Sequence, residues 1–169
     1  MEFITGEGGV IDTWLRRGAA GFRLDVADEL PDDFIEKIRA AVKRVSPEKF
    51  LLGEVWEDAT TKYGFGQRRT YLLGKGLDSV MNYPFKNAVL DFVKGKPAEQ
   101  AMGEILSICE HYPAPAMDTA LNFLSTHDTE RALTVIADEP ANGRGREWQS
   151  GRCVAGEAYE EGMLRLRMA

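Results

Sequence analysis

The stretch GFRLDVA, residues 21–27, decides the fold, because it is an apolar run interrupted by charge. Its length and composition predict a strand, and Asp25 lies near the carboxyl end of that strand. The run FLLGEVW, residues 50–56, has the same character and carries Glu54 at a similar place. Between the two runs, Pro31 and two aspartates suit the first turn of a helix, and an apolar stripe follows them. Strand, helix and strand therefore follow one another.

The same alternation continues along the chain. Further strands are predicted over residues 77–81 and 121–125. Helices are predicted over about residues 10–17, 32–46, 84–93, 97–111, 129–137 and 157–168. The polar residues 57–76 predict a long connection with room for one short helix, and residues 138–156, rich in glycine and charge, predict a mobile loop. Alternating strands and helices predict parallel strands joined by right-handed crossovers.

Two α/β architectures fit this order: an open doubly wound sheet and part of a (β/α)₈ TIM barrel. Three of the four predicted strands lack strict polar and apolar alternation, which favours burial on both faces. No GxGxxG motif follows a strand and no P-loop is present, so nucleotide binding loses its main support. An unrelated phosphate-binding α/β protein would need a glycine-rich turn at a helix start, and the sequence has none.

Composition excludes several classes of protein. The chain has 169 residues and a formal net charge of −6, which argues against nucleic acid or an anionic membrane surface as partner. Its apolar fraction of 44% is enough for a buried core, and its longest apolar runs are far shorter than a membrane span. The start, MEFITGEGGVIDTW, predicts no signal peptide. Cys109 and Cys153 lack metal-ligand spacing and are expected to be reduced thiols.

Three carboxylates fall at or just beyond the ends of predicted strands: Asp25, Glu54 and Asp128. In α/β barrels the carboxyl ends of the strands form the rim where catalytic groups gather. Burying an ionised carboxylate without a partner is costly, so three such positions favour a functional site. Asp78, at the start of its strand, is expected to be a loop or structural acid.

Each carboxylate also has a structural interpretation. Asp25 can form an ion pair with Arg23, since residues i and i+2 of a strand point to the same side. Glu54 can accept a hydrogen bond from a loop amide. Asp128 can cap a helix that begins near Thr129. Three separate structural roles for acids at the ends of successive strands are less expected than one functional site that all three share.

Three blocks of the sequence resemble the α-amylase family of glycoside hydrolases. They are GFRLDVADE from residue 21, GEVW from residue 53 and LSTHDTER from residue 124, in the family's order. The neopullulanase and cyclomaltodextrinase group is most similar, because DSVMNYPF from residue 78 resembles a segment that this group carries between the last two blocks. The group usually has Asn-Glu after the first block, whereas this chain has Asp28-Glu29, which leaves the substrate preference open.

The resemblance implies a role for each matching residue. Asp25 matches the catalytic nucleophile and Glu54 the general acid/base. Asp128 matches the carboxylate that stabilises the transition state through substrate hydroxyls. Arg23 matches the arginine that orients the nucleophile and keeps it ionised, and His127 matches the histidine that hydrogen-bonds the sugar in the −1 subsite.

These roles describe a retaining glycosidase, in which two carboxyl groups about 5–5.5 Å apart share the work. Asp25 attacks the anomeric carbon while Glu54 protonates the leaving oxygen, and Glu54 then activates water. Arg23 is expected to keep Asp25 ionised, and an apolar wall with nearby negative charge is expected to keep Glu54 protonated. Trp56 is either a sugar-stacking platform or part of the core.

The resemblance also implies that the chain is incomplete as a barrel. A typical barrel needs about 250 residues, and the four predicted strands match the family's fourth to seventh. Residues 1–169 are therefore expected to be a fragment of a catalytic barrel, without the family's first block. Half a barrel exposes strand edges, so we expect marginal stability or self-association through them, and little hydrolysis by the chain alone.

The expected substrate is an α-glucan or a cyclodextrin-type oligosaccharide, with α-1,4 and α-1,6 bonds both possible. Hydrolysis and transglycosylation share the covalent intermediate, so the sequence leaves that choice open. A catalytically inert fragment, or a carbohydrate-binding or assembly module, is the alternative. No cofactor is expected, and no metal-ligand set is recognisable.

Overall fold

The computed structural model describes residues 2–137 and 143–169. In chain order its helices and strands are α1 (Glu2–Thr5), α2 (Val10–Arg16), β1 (Gly21–Leu24), α3 (Asp32–Val45), β2 (Phe50–Gly53), β3 (Tyr63–Gly64), β4 (Gln67–Arg68), β5 (Ser79–Val80), α4 (Tyr83–Val93), α5 (Ala98–His111), α6 (Ala114–Asp118), α7 (Ala132–Ala137), α8 (Arg146–Ser150) and α9 (Gly156–Leu166). A 3₁₀ turn, Ala27–Glu29, follows β1. Part of the predicted mobile loop, residues 138–142, lies outside the described residues, and the rest of that loop includes α8.

The described residues form two compact units. The first comprises residues up to 83 together with 108–121, and the second comprises residues 84–107 and 122–169. No helix in the described ranges is long and apolar enough to cross a membrane. Cys109 and Cys153 are both exposed free thiols.

A parallel sheet is the centre of the first unit. Its strand order is β1-β2-β5, and both pairings are parallel, as the alternation of elements predicted. Gly21 lies opposite Phe50 and Leu24 opposite Gly53, so β1 and β2 end at the same level.

The predicted fourth strand over residues 121–125 is wrong beyond its first residue. Leu121 makes an isolated parallel bridge with Met81, and its N–H donates to the Val80 carbonyl over 3.2 Å. Leu121 is 45% exposed, and Leu124, further along the predicted strand, packs against the buried cluster of α4 and α7. Apolar contact with helices thus replaces the strand pairing that the run predicted.

Helix α3 covers the sheet with the predicted apolar stripe. Ile35, Ile38, Ala41 and Val42 are buried, and burial of each isoleucine or valine side chain contributes about 1.5–3 kcal/mol. Aspartates in the first turn and basic residues in the last turn complement the helix dipole.

Asp78, directly before β5, forms ion pairs with two residues of this helix, as expected of a structural acid. Its carboxylate accepts hydrogen bonds from Arg39 at 2.6 Å, Lys43 at 2.8 Å and the Leu51 N–H at 2.8 Å. Burial acts to raise the pKa of Asp78, but the hydrogen bonds from Lys43 and Arg39 outweigh it and hold the pKa below its ordinary value.

The second unit has its own small core. Leu90 and Val93 of α4 pack with Ala132 and Ile136 of α7. Helix α9 approaches α7 closely at Gly162, where an added Cβ would lie 2.5 Å from that of Ala137. Helix α7 begins at Ala132, three residues later than about 129 as predicted.

The connection over residues 57–76 contains a two-stranded hairpin that the sequence did not predict. Tyr63 lies opposite Arg68 and Gly64 opposite Gln67 in antiparallel pairing. These strands are two residues long and lack apolar alternation, so periodicity gives no signal for them.

Candidate active site

Strands β1 and β2 bring Asp25 and Glu54 to the same end of the sheet. Each carboxylate directly follows the last paired residue of its strand, Leu24 or Gly53. The Glu54 N–H donates to the Leu24 carbonyl over 3.0 Å, and the Ala27 N–H donates to the Glu54 carbonyl over 3.0 Å. Backbone pairing therefore continues past the strands and fixes both positions.

The guanidinium of Arg23 contacts both carboxylates. One terminal nitrogen is paired with Asp25, and the other lies 2.9 Å from Oε1 of Glu54. The second contact is an ion pair by distance but lacks hydrogen-bond geometry. The Asp25 side chain is 75% exposed whereas that of Glu54 is 3% exposed, so one acid faces solvent and the other lies beneath it.

Hydrogen-bond donors surround Glu54. Its Oε2 accepts from the Val26 N–H at 2.9 Å, and its Oε1 accepts from the Tyr83 hydroxyl at 3.1 Å and from Trp56 Nε1 at 3.3 Å. These partners satisfy a buried carboxyl group that would otherwise be costly. A backbone N–H, a hydroxyl and an indole N–H therefore lie where an apolar wall was expected, because polar groups of neighbouring segments converge on Glu54.

Val26 adopts a backbone conformation that its side chain disfavours. Its φ of 43° and ψ of 52° lie in the left-handed region, which β-branched residues rarely enter. This conformation turns the chain after Asp25 and directs the Val26 N–H at Glu54. Strain of this kind tends to occur at functional sites.

Trp56 stacks on Tyr83. Their ring centroids lie 4.5 Å apart and the planes differ by 14°. Tyr83 is 1% exposed, whereas Trp56 is 42% exposed, so Trp56 is not a core residue. The arrangement presents an indole supported from one side next to the buried carboxyl group.

His127 and Asp128 lie in the second unit. His127 Nε2 is 3.0 Å from Oδ2 of Asp128, and both residues line a cavity of about 580 Å³ that Arg146 and Arg152 also line. Helix α7 begins only at Ala132, so Asp128 is not its N-cap. The N–H of Asp128 instead donates to Thr126 Oγ1 over 3.2 Å.

The structure thus brings together Arg23, Asp25, Glu54 and Trp56 in the first unit, and it pairs His127 with Asp128 in the second. Sequence reasoning missed Tyr83, although the segment DSVMNYPF had been singled out. Nothing in the sequence indicated the role of the Val26 N–H. Within residues 2–137 and 143–169, no group of three or more His, Cys, Asp or Glu side chains is placed to hold a metal ion.

The family model for the catalytic domain of alpha-amylase matches residues 5–150. An amylopullulanase of Thermoanaerobacter thermohydrosulfuricus is 38% identical over 143 residues, which cover 75% of this chain and 9% of that protein. A cyclomaltodextrinase of a Bacillus species is 39% identical over 127 residues, which cover 72% of this chain and 21% of that protein.

A solved cyclic α-maltosyl-(1→6)-maltose hydrolase of Arthrobacter globiformis, in complex with maltose, has a similar fold. It superposes with a TM-score of 0.68 and 30% identity over 76% of this chain and 28% of that chain. This chain therefore spans only a small part of the proteins that it matches, from about a tenth to about a quarter of their length.

Proposed function

Because this chain belongs to the α-amylase family, as its three sequence blocks predicted, we propose that it carries the catalytic carboxylates of a retaining α-glucan hydrolase or transglycosidase. The observation that carries the proposal is the placement of Asp25 and Glu54 directly after adjacent parallel strands, with Arg23 in contact with both. A pair of carboxyl groups at one rim is what double displacement requires.

Asp25 is the proposed nucleophile. Its exposed carboxylate is accessible to the anomeric carbon of a bound sugar, and the ion pair with Arg23 holds it in position. Attack forms a covalent glycosyl–Asp25 ester, and the bond between the anomeric carbon and the leaving oxygen breaks.

Glu54 is the proposed general acid/base. In the first step it gives a proton to the leaving oxygen, and in the second it takes a proton from the water that cleaves the ester. The Tyr83 hydroxyl can accept as well as donate, so its contact with Oε1 is compatible with both protonation states. The Val26 N–H holds the other oxygen throughout.

Asp128 and His127 are proposed to contact sugar hydroxyls, the roles that the resemblance implies for them. Their support is the third sequence block and their position on a cavity large enough for a sugar ring. Trp56 is proposed as a stacking surface for the substrate, since its indole is exposed and supported by Tyr83.

The proposed substrate is an α-glucan or a cyclodextrin-type oligosaccharide. The relatives are named for cyclomaltodextrin and pullulan substrates, and a similar structure contains maltose. Whether α-1,4 or α-1,6 bonds are cleaved, and whether water or a sugar is the acceptor, depends on parts of the site beyond these acids.

We further propose that these residues form about the fourth to seventh strands of a (β/α)₈ barrel. On this view the 169-residue chain alone hydrolyses little or no glucan, because it lacks the family's first block. An inert fragment or a binding module remains the second candidate, favoured by the small share of each relative that the chain covers.

The test is a Glu54→Gln substitution in a polypeptide that contains the whole barrel, with turnover of an α-1,4-glucan as readout. Removing a general acid/base is expected to lower kcat by about 10²–10⁴-fold. Glu57→Gln is the matched control, since Glu57 is an exposed acid three residues further along. Near-normal turnover by the Glu54→Gln enzyme would contradict the assignment.

A further inference from the structure

Two large aromatic side chains project into solvent from the hairpin of residues 63–68, here called the aromatic hairpin. Tyr63 is 72% exposed and Phe65 is 63% exposed. The hairpin contributes little to the apolar core, so packing within the first unit does not explain these rings.

The tip of the aromatic hairpin is strained at Phe65. The φ angles of Phe65 and Gly66 are 52° and 77°, so both central residues of the two-residue turn are left-handed. Asn, Asp and Gly normally fill such turns, and a bulky aromatic residue is an unusual choice. An unfavourable backbone conformation that displays an aromatic ring points to a use for the ring.

Buried Arg69 holds the ring in place. Its guanidinium lies 5.2 Å from the centroid of Phe65 and 4.5 Å from that of Tyr71, which are cation–π distances. The same group donates to Oδ1 of Asp32 and to the Asp28 carbonyl, each over 2.8 Å. Arg69 is therefore held by hydrogen bonds, and its guanidinium lies against the Phe65 ring.

These contacts tie the aromatic hairpin to the rim of the sheet. Asp28 and Asp32 belong to the segment that follows Asp25, and Lys62 also reaches Oδ2 of Asp28 at 3.1 Å. The hairpin itself belongs to the connection that follows Glu54 and contains Trp56. Both routes start at the carboxyl ends of β1 and β2, where the proposed chemistry occurs.

We propose that Tyr63 and Phe65 form a stacking platform for a sugar unit of the α-glucan, outside the residues that act on the scissile bond. This inference rests on the proposed function. The faces of a pyranose ring carry C–H groups that pack on aromatic rings, while its hydroxyls point outward to polar neighbours. The platform binds a neutral chain by shape and apolar contact.

Binding of maltoheptaose to the 169-residue chain tests the platform, and Glu54→Gln in every protein prevents turnover. Phe65→Asn removes the ring but keeps a residue suited to positive φ, so the hairpin remains folded. We expect Phe65→Asn and Tyr63→Ala each to weaken binding by about fivefold or more, as expected for a lost ring contact. Phe65→Tyr, which retains a ring, should bind like the parent.

Phe3→Asn is the matched control, because Phe3 is 79% exposed in a different segment of the same unit. It should change binding by less than about twofold. Melting temperatures measured on all variants separate lost binding from lost folding.

Several outcomes would overturn the platform: no binding by the parent, unchanged binding by Phe65→Asn and Tyr63→Ala, or an effect on self-association in place of glucan binding. The proposed function has a separate readout. If the hairpin variants lose binding while the Glu54→Gln barrel turns over glucan normally, the platform stands and the role of Glu54 is wrong. If the hairpin variants bind normally while the Glu54→Gln barrel loses turnover, the role of Glu54 stands and the platform is wrong.

Discussion

The backbone N–H of Val26 donates a 2.9 Å hydrogen bond to Oε2 of Glu54. The residue after the proposed nucleophile thus holds the proposed acid/base, and the two strand ends are linked by one contact. Val26 makes this contact from the left-handed region, at φ 43°. The geometry of the carboxyl pair is therefore obtained at the expense of backbone strain.

Relieving that strain should stabilise the protein. Asn tolerates positive φ and keeps the N–H, so Val26→Asn should raise the free energy of unfolding by about 1 kcal/mol. Val26→Thr keeps the β-branch and should leave the free energy of unfolding no higher than that of the parent. Urea denaturation measures both, and a clear loss of stability in Val26→Asn would show that the conformation is not a strained one.

Removing the Tyr83 hydroxyl should leave Glu54 short of one partner. Tyr83→Phe keeps the ring that supports Trp56. It should lower the free energy of unfolding by about 1–3 kcal/mol, because the carboxyl group that loses a hydrogen bond is buried. Tyr112→Phe is a matched control: Tyr112 is also buried, and its hydroxyl accepts the Ala59 N–H at 3.1 Å. In the whole barrel, only Tyr83→Phe should alter the pH profile of turnover, and identical profiles would deny Tyr83 a part in positioning Glu54.

Asp78 should make stability depend on pH in the acid range. Its pKa in the folded state lies below the ordinary value of 3.8, because hydrogen bonds from Lys43 and Arg39 outweigh the opposing effect of burial. The stabilisation from ionised Asp78 is therefore fully present above its ordinary, unfolded-state pKa, and it is lost as the pH falls through the lower folded-state pKa.

Asp78→Asn should therefore lower the free energy of unfolding at pH 7 by about 1–3 kcal/mol, and the difference from the parent should shrink below about pH 4. Asp33→Asn removes an exposed pair with Lys37 and one charge at the start of α3, and it should cost less than about 1 kcal/mol at any pH. A difference between Asp78→Asn and the parent that persists unchanged into acid would contradict this interpretation.

Much of the site was predictable because its signals are local. The runs around Asp25 and Glu54 show a charge directly after apolar residues, and the parallel direction of the two strands follows from the helix between them. The apolar stripe of α3 likewise fixed its bounds closely.

The rest depends on contacts between distant segments. Donation from Tyr83 to Glu54 spans 29 residues, and the aromatic hairpin is held by Arg69 through contacts 37 and 41 residues away. No periodicity marks such contacts. The fourth strand was mispredicted for the same reason, since Leu124 packs against helices α4 and α7 and not in a sheet.

The open edge of the sheet should promote self-association. Among the described residues, β1 pairs only with β2, so its other edge presents unpaired backbone groups. Sedimentation of the 169-residue chain should therefore show dimers or larger species that increase with concentration. A soluble monomer at all concentrations would contradict this expectation.

The central claim is that Asp25 forms a covalent bond with the sugar. The most direct measurement is to treat the Glu54→Gln form of the whole barrel with α-maltosyl fluoride, whose leaving group needs no acid, and to map the adduct by mass spectrometry. The proposal predicts a maltosyl ester on the peptide that contains Asp25, and its disappearance in Asp25→Asn. An adduct on another carboxylate, or none at all while the fluoride is consumed, would contradict the double-displacement assignment.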